Sequence, residues 1–256
     1  MTLLVGCYLW SDGGWSENHA KGFRYGPKHV RHLKDAVKEH LTAPHEFICI
    51  TDDPDKFDLD ADIRAVKLDT TCHVPGKEWA KWMTFHPDGQ NLFGGERMLQ
   101  LDLDAVICGN IDHLVWRDED IVCWRNPARQ PYLNPVKYTG RAYYNGSIIL
   151  HTLGTGAYGY NLFVDNKHKI SGRMRDTQCL MSFLLGPDAP YWDDLDGIYR
   201  LERDDTPGSG IGRYLDLPKG ACMVFFPGSE HKPWLEKVRE DWPWVETYWP
   251  EALVAA

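Results

Sequence analysis

No Cys-x-x-Cys pair, no tight basic cluster, no internal repeat and no apolar run near the roughly 20 residues of a membrane span occurs in this 256-residue chain. Without paired cysteines there is no thiolate zinc or dithiol redox signature. Lys plus Arg total 28 against 37 Asp plus Glu, a formal charge of −9, which argues against partners such as nucleic acid or an anionic membrane. Met1 to Leu9 lacks the basic start and long apolar core of a signal peptide, so a cytoplasmic protein with no transmembrane segment is expected. With 43% hydrophobic and 25% charged residues, disordered, collagen-like and coiled-coil chains are excluded, and the length suits one large core or two small ones. No linker or composition shift marks a second core, so 1–250 is read as a single domain and 251–256 as a tail.

What the chain has in excess is aromatic: 11 Trp, 12 Tyr and 9 Phe, many in polar stretches where no ring is needed to fill a core. Cys7, Cys49, Cys72, Cys108, Cys123, Cys179 and Cys222 are odd in number and mostly set in apolar runs. They read as small buried hydrophobes of a reducing compartment.

Leu3 to Leu9 is an apolar strand ended by Ser11-Asp12-Gly13-Gly14. Pro27 opens a helix in which Val30, Leu33, Ala36, Val37 and Leu41 recur at helical spacing, and Phe47 to Ile50 is the next strand. This order starts an α/β sheet with parallel strands. The pattern predicts helices over Glu78 to Phe85, Gly154 to Asn166 and Asp176 to Leu185. It predicts strands over Met98 to Leu103, Ile121 to Trp124, Ser147 to Leu150 and Ala221 to Phe226, then a Trp-rich C-terminal helix.

Met98 to Leu114, MLQLDLDAVICGNIDHL, carries the chemistry. An apolar strand delivers Asp102 and Asp104 at its C-terminal end, where open α/β sheets bind ligands. Residues two apart on a strand share a side, so both carboxylates can face one hard cation, Mn²⁺ or Mg²⁺, which in turn neutralises a diphosphate. Taken alone, such a pair also serves to cap a turn or face water.

Several segments, in order, resemble the GT-A glycosyltransferases, and more narrowly their family 8-like bacterial and phage group. They are Val5 to Trp10, Phe47 to Asp53, Lys77 to Phe85, LDLDAVICGNIDHL, Tyr144 to Leu150, Asp176-Thr177-Gln178 and Phe225 to Trp234. The resemblance implies a single GT-A domain with a Rossmann-like, mostly parallel central sheet flanked by helices. It further implies a metal-dependent glycosyltransferase moving a sugar from a nucleotide diphosphate donor, a UDP-sugar, to a hydroxyl of a glycan, glycoconjugate or protein, with retention of configuration.

On the same resemblance Tyr8 and Trp10 lie at the nucleotide base, Lys81 reaches the donor, and Asp102 and Asp104 hold the metal. Asn145, Asp176 and Gln178 line the donor sugar, and Lys232 meets the diphosphate. Asp176 equally suits an N-cap. The family's metal-ligand histidine at or just before the terminal glycine is missing. Either His231, three residues after Gly228, reaches back, or the two aspartates act with diphosphate oxygens and water.

The aromatic residues divide. Trp10, Tyr132, Tyr138, Tyr143 and Tyr144 are candidates for stacking on base or sugar. Trp79, Trp82, Trp116 and Trp124 read as packing residues, and Trp242, Trp244 and Trp249 as docking the C-terminal helix. Arg125, Arg129, Lys137 and Arg141 form a solvated loop or an acceptor or phosphate clamp. Two alternatives remain open. One is a nucleotide-sugar-binding or carbohydrate-binding protein that has lost turnover. The other is a haloacid-dehalogenase-type phosphatase using Asp102 as nucleophile and Asp104 as acid/base, with Asp193, Asp194 and Asp196 as its acidic pair.

Overall fold

The computed structural model describes residues 2–10, 25–74, 78–126, 142–201, 211–212, 216–226, 228 and 231–249. Tyr132, Tyr138, Arg129, Lys137, Arg141 and the 251–256 tail lie outside these residues. In chain order the elements are β1 (Leu3–Leu9), α1 (Pro27–His40), β2 (His45–Thr51), β3 (Arg64–Lys67), α2 (Gly89–Phe93), β4 (Arg97–Leu101), β5 (Val106–Ile107) and α3 (Asp112–Val115). There follow β6 (Ile121–Arg125), β7 (Tyr144–Thr152), α4 (Ala157–Asp165), α5 (Lys167–Arg173), α6 (Thr177–Leu185), β8 (Tyr191–Trp192), β9 (Ile198–Arg200), β10 (Met223–Phe225), α7 (Glu236–Asp241) and α8 (Val245–Tyr248).

Seven strands form the main sheet in the order β3-β2-β1-β4-β7-β6-β8. β1 is parallel to β2 and β4, β2 to β3 and β6 to β8, whereas β7 runs antiparallel to β4 and β6. The chain steps outward from β1 through β2 to β3, then returns to the far side of β1 as β4. That reversal makes β1 and β4 the switch point at which such sheets bind ligands.

Alternation along the strands divides the core. Leu3, Val5, Cys7 and Leu9 of β1, with Leu99, Leu101, Ile148 and Leu150, pack with Val30, Leu33 and Val37 of α1. On the opposite face Leu4, Tyr8, Ile48 and Met98 form one cluster, and Cys123, Ile149, Trp79, Trp82 and Leu180 another. Pro27 stands in the first turn of α1, where its missing N–H costs no bond.

Three expectations are corrected. The segment Glu78–Phe85 winds as 3-10 turns rather than an α-helix, its Ala80, Trp82 and Met83 all buried. The strand expected over Met98 to Leu103 ends at Leu101, and the Ala105 N–H donates to Asp102 O at 3.1 Å. The aspartates therefore sit in a turn after the strand, and strand alternation does not set their relative direction. The segment expected over Ala221 to Phe226 is shorter and belongs to a separate three-stranded sheet, β5-β10-β9.

Residues 231–249 include the two short helices α7 and α8, and here Val238, Trp242, Val245 and Trp249 pack with Trp234, Val224 and Phe226. Trp79, Trp82 and Trp124 are buried as expected, but Trp116, at the end of the four-residue α3, is 69% exposed. The cysteines are free and all buried except the half-buried Cys108. Burial pushes the thiols of Cys72, Cys108, Cys179 and Cys222 up to about 12, so none is a ready nucleophile.

Candidate functional site

A cleft opens beyond the C-terminal end of β4, lined by Lys81, Trp82, Gln100, Asp102, Thr177 and Gln178 among others. The 3-10 segment, β4, β7 and the start of α6 each contribute to it. Lys81, Asp102 and Gln178, drawn from widely separated parts of the sequence, meet here.

Lys81 is held from both ends. Its carbonyl accepts hydrogen bonds from the Tyr8 hydroxyl at 3.1 Å and the Thr84 hydroxyl at 3.2 Å. Its Nζ donates to Asp102 Oδ1 at 2.6 Å, with both side chains largely buried. Burial pushes the Tyr8 phenol well up, a hydrogen bond with Thr84 opposing this and the negative charge of Asp102 adding to it. Tyr8 is thus a neutral donor that fixes the Lys81 backbone. The neighbouring Trp10 ring lies 5.4 Å from that of Tyr8.

Asp104 is buried, and Lys232 Nζ donates to its Oδ2 and to Phe226 O, the latter at 3.2 Å. Lys232 thereby ties the C-terminal region to the turn after β4. His231 lies edge-on to Trp242, ring centroids 6.1 Å apart. Among the described residues no three His, Cys, Asp or Glu side chains gather into a cation-sized group, so His231 does not complete the aspartate pair here.

Asp176 is the N-cap of α6, its Oδ1 accepting from Cys179 N at 3.0 Å. That cap aims the first turn of α6, and with it Thr177 and Gln178, at the cleft. Asn145 stands beside the register shift between β6 and β7, and its Oδ1 accepts from Ser147 N at 2.8 Å. Gly146, one residue on, also lines the cleft. Of the loop aromatics, Tyr143 is half-buried, and Tyr144 is buried with its hydroxyl accepting from Ala189 N at 2.9 Å. Arg125 stacks over the Tyr191 ring at 3.7 Å. Asp193 and Asp196 cap their own turn through Leu195 N and Asp193 N.

The Gly-Asn-Ile-Asp turn after β5 proves to be a structural knot. Asp112 accepts from Thr42 N at 2.7 Å, Ala43 N at 3.1 Å and Asn110 Nδ2 at 2.8 Å, joining this turn to the α1–β2 connection. Burial opposes its ionisation, but the bonds from Asn110, Thr42 and Ala43 outweigh that and hold its carboxyl at about 2.

Sequence reasoning missed Gln100, which lies two residues before Asp102 on the cleft side of β4. A polar residue between the buried apolar Leu99 and Leu101 was the available signal.

No family model matches the sequence, and no curated protein matches it. Solved structures do match. One is the galactosyltransferase LgtC in complex with donor and acceptor sugar analogs, with a TM-score of 0.57 and 11% identity over 99% of this chain and 94% of that one. Another is an active-site mutant of LgtC with glutamate in place of glutamine, at a TM-score of 0.60, the same identity and the same coverage. Across the 99% of its length that superposes, this chain has the GT-A glycosyltransferase fold that its sequence segments resemble.

Proposed function

We propose that this protein is a metal-dependent glycosyltransferase that moves a sugar from a nucleotide diphosphate donor, a UDP-sugar, to a hydroxyl acceptor with retention of configuration. The observation that carries the reading is the convergence of Lys81, Asp102 and Gln178 on one cleft at the switch point of a GT-A sheet. The similar enzyme binds donor and acceptor sugar analogs and has a glutamine in its active site, which supports a sugar-contact role for Gln178.

Asp102 and Asp104 supply hard carboxylate oxygens, and Mn²⁺ or Mg²⁺ is commonly held by one or two carboxylates with substrate phosphates and water. The donor set fits a cation site that the substrate completes. When bound, the cation supplies charge neutralisation for the leaving diphosphate. Lys81 and Lys232, paired with Asp102 and Asp104, bring two further positive charges, Tyr8 positions Lys81, and Trp10 offers a ring to the base. Asn145 and Gln178 offer neutral amides to sugar hydroxyls, while Asp176 aims Gln178.

A second reading, a nucleotide-sugar-binding protein without turnover, is favoured by the ion pairs that occupy both aspartates. A thermal-shift screen of UDP- and GDP-sugars with and without Mn²⁺ tests the proposal, since a ligand of the folded state raises its apparent stability. A Mn²⁺-dependent shift is expected, together with slow donor hydrolysis that Asp104→Ala abolishes. Donor binding indifferent to metal rejects the metal site, and binding without transfer or hydrolysis across a broad acceptor panel selects the second reading.

A further inference from the structure

Gln100 is 3% exposed and lines the cleft, yet its Oε1 has no hydrogen-bond partner. It lies on β4, opposite Gly6 of β1 and Ile149 of β7. Met98 and Ile149, its neighbours on that face, are apolar and buried. These strand neighbours supply no partner for Oε1, and an apolar side chain of the same shape would avoid the cost of stranding a buried acceptor. Unpaired buried polar groups of this kind are tolerated where a ligand pairs with them.

The chemistry of the missing partner is constrained. Oε1 needs a donor, and diphosphate oxygens at neutral pH have none. Lys81 and Asp102 already form the charged side of the cleft, whereas Gln100 and Gln178 are neutral amides. A carboxamide both donates and accepts, as a sugar hydroxyl does. Resting on the function proposed above, we infer that Gln100 is a specificity-determining residue. Its buried amide hydrogen-bonds a hydroxyl of the donor sugar and makes the cleft prefer the sugar nucleotide to the bare nucleotide.

Isothermal titration calorimetry with Mn²⁺ tests this on the full chain, using UDP and a panel of UDP-glucose, UDP-galactose and UDP-N-acetylglucosamine. The variants are Gln100→Met, which keeps length and removes the amide, and Gln100→Leu, which provides a second apolar replacement should the first disturb packing. In the wild type the preferred UDP-sugar binds more tightly than UDP. In the variants that preference falls by about tenfold while UDP affinity stays within about twofold, and the ligand-free protein melts at the same temperature or higher. An unchanged preference in a folded variant overturns the role of Gln100 and leaves the function standing. A lower melting temperature of both ligand-free variants, with the preference intact, assigns the amide to a buried water and overturns it likewise. A wild type that binds none of the panel overturns the function proposal, and the inference with it.

Discussion

Lys81 Nζ lies 2.6 Å from Asp102 Oδ1, and Lys232 makes the matching contact with Asp104 Oδ2. Each carboxylate proposed for the cation is therefore paired with an ammonium. Such charge-assisted bonds between largely buried groups are stronger than surface ion pairs. A cation must displace them or share the carboxylates.

Lysine removal is accordingly expected to strengthen binding of Mn²⁺ alone. In Lys81→Met or Lys232→Met, the Mn²⁺ affinity of the nucleotide-free protein rises about tenfold, the order of one charged hydrogen bond. UDP-sugar affinity falls in the same variants, because a positive charge beside the diphosphate is lost. Electron paramagnetic resonance of free Mn²⁺ reads the first effect and calorimetry the second. Unchanged or weaker Mn²⁺ binding in both variants removes the competition.

Asp176 separates two roles that its position allows. Asp176→Ala removes the cap on Cys179 N and costs about 1 kcal/mol, whereas Asp176→Asn keeps a capping oxygen and costs a few tenths at most. If the carboxylate also touches the donor sugar, Asp176→Asn loses activity while keeping wild-type stability. Urea unfolding alongside donor hydrolysis distinguishes them, and an active Asp176→Asn leaves only the cap.

Asp112 is expected to control acid stability. Its carboxyl, held at about 2, is ionised in the folded state where the unfolded chain has begun to take up protons. Its contribution of about 2 kcal/mol is complete above pH 4 and is lost as pH falls toward 2. Asp112→Ala, which strands the Thr42 and Ala43 N–H groups, costs about 3 kcal/mol at neutral pH. Urea midpoints between pH 2 and pH 7 check both statements, and a wild type and Asp112→Asn that lose stability in parallel below pH 4 would count against the assignment.

A second window belongs to His151, buried against Phe85. Burial pulls its imidazole down to about 4, a hydrogen bond with the Thr152 backbone opposing this and the nearby Arg97 charge helping it. The unfolded chain takes up this proton near 6.5 and the folded one only near 4, so stability is full above 6.5 and declines by up to about 3 kcal/mol as pH drops through the interval. His29, pulled down to about 4 mainly by burial, adds to the same slope. His151→Leu is expected to flatten the melting-temperature profile between pH 6.5 and pH 4 and leave the His29 part. A profile identical to wild type contradicts a neutral buried His151.

Much of this architecture is legible in the sequence because it is local. The apolar period of Val30, Leu33 and Val37 marks α1, the run Leu3–Leu9 marks β1, and Asp176 announces the start of α6 by the chemistry of an N-cap. The short strands β3 and β5 and the helix α5 carry too few residues for a period to emerge. Segment 78–85 has a helical composition, but its backbone follows the burial of Ala80, Trp82 and Met83 into 3-10 turns.

By itself the sequence determined the strand-end aspartates, the basic residues near them and the alternating α/β order, since each depends on neighbours a few positions apart. Only the tertiary structure decided which lysine meets which aspartate, that Tyr8 supports Lys81, that Asp112 joins two distant turns, and that Gln100 faces the cleft without a partner. These relations span 21 to 128 residues of chain. They follow from sheet order, because β1, β4 and β7 become neighbours only after the chain has folded back across β1.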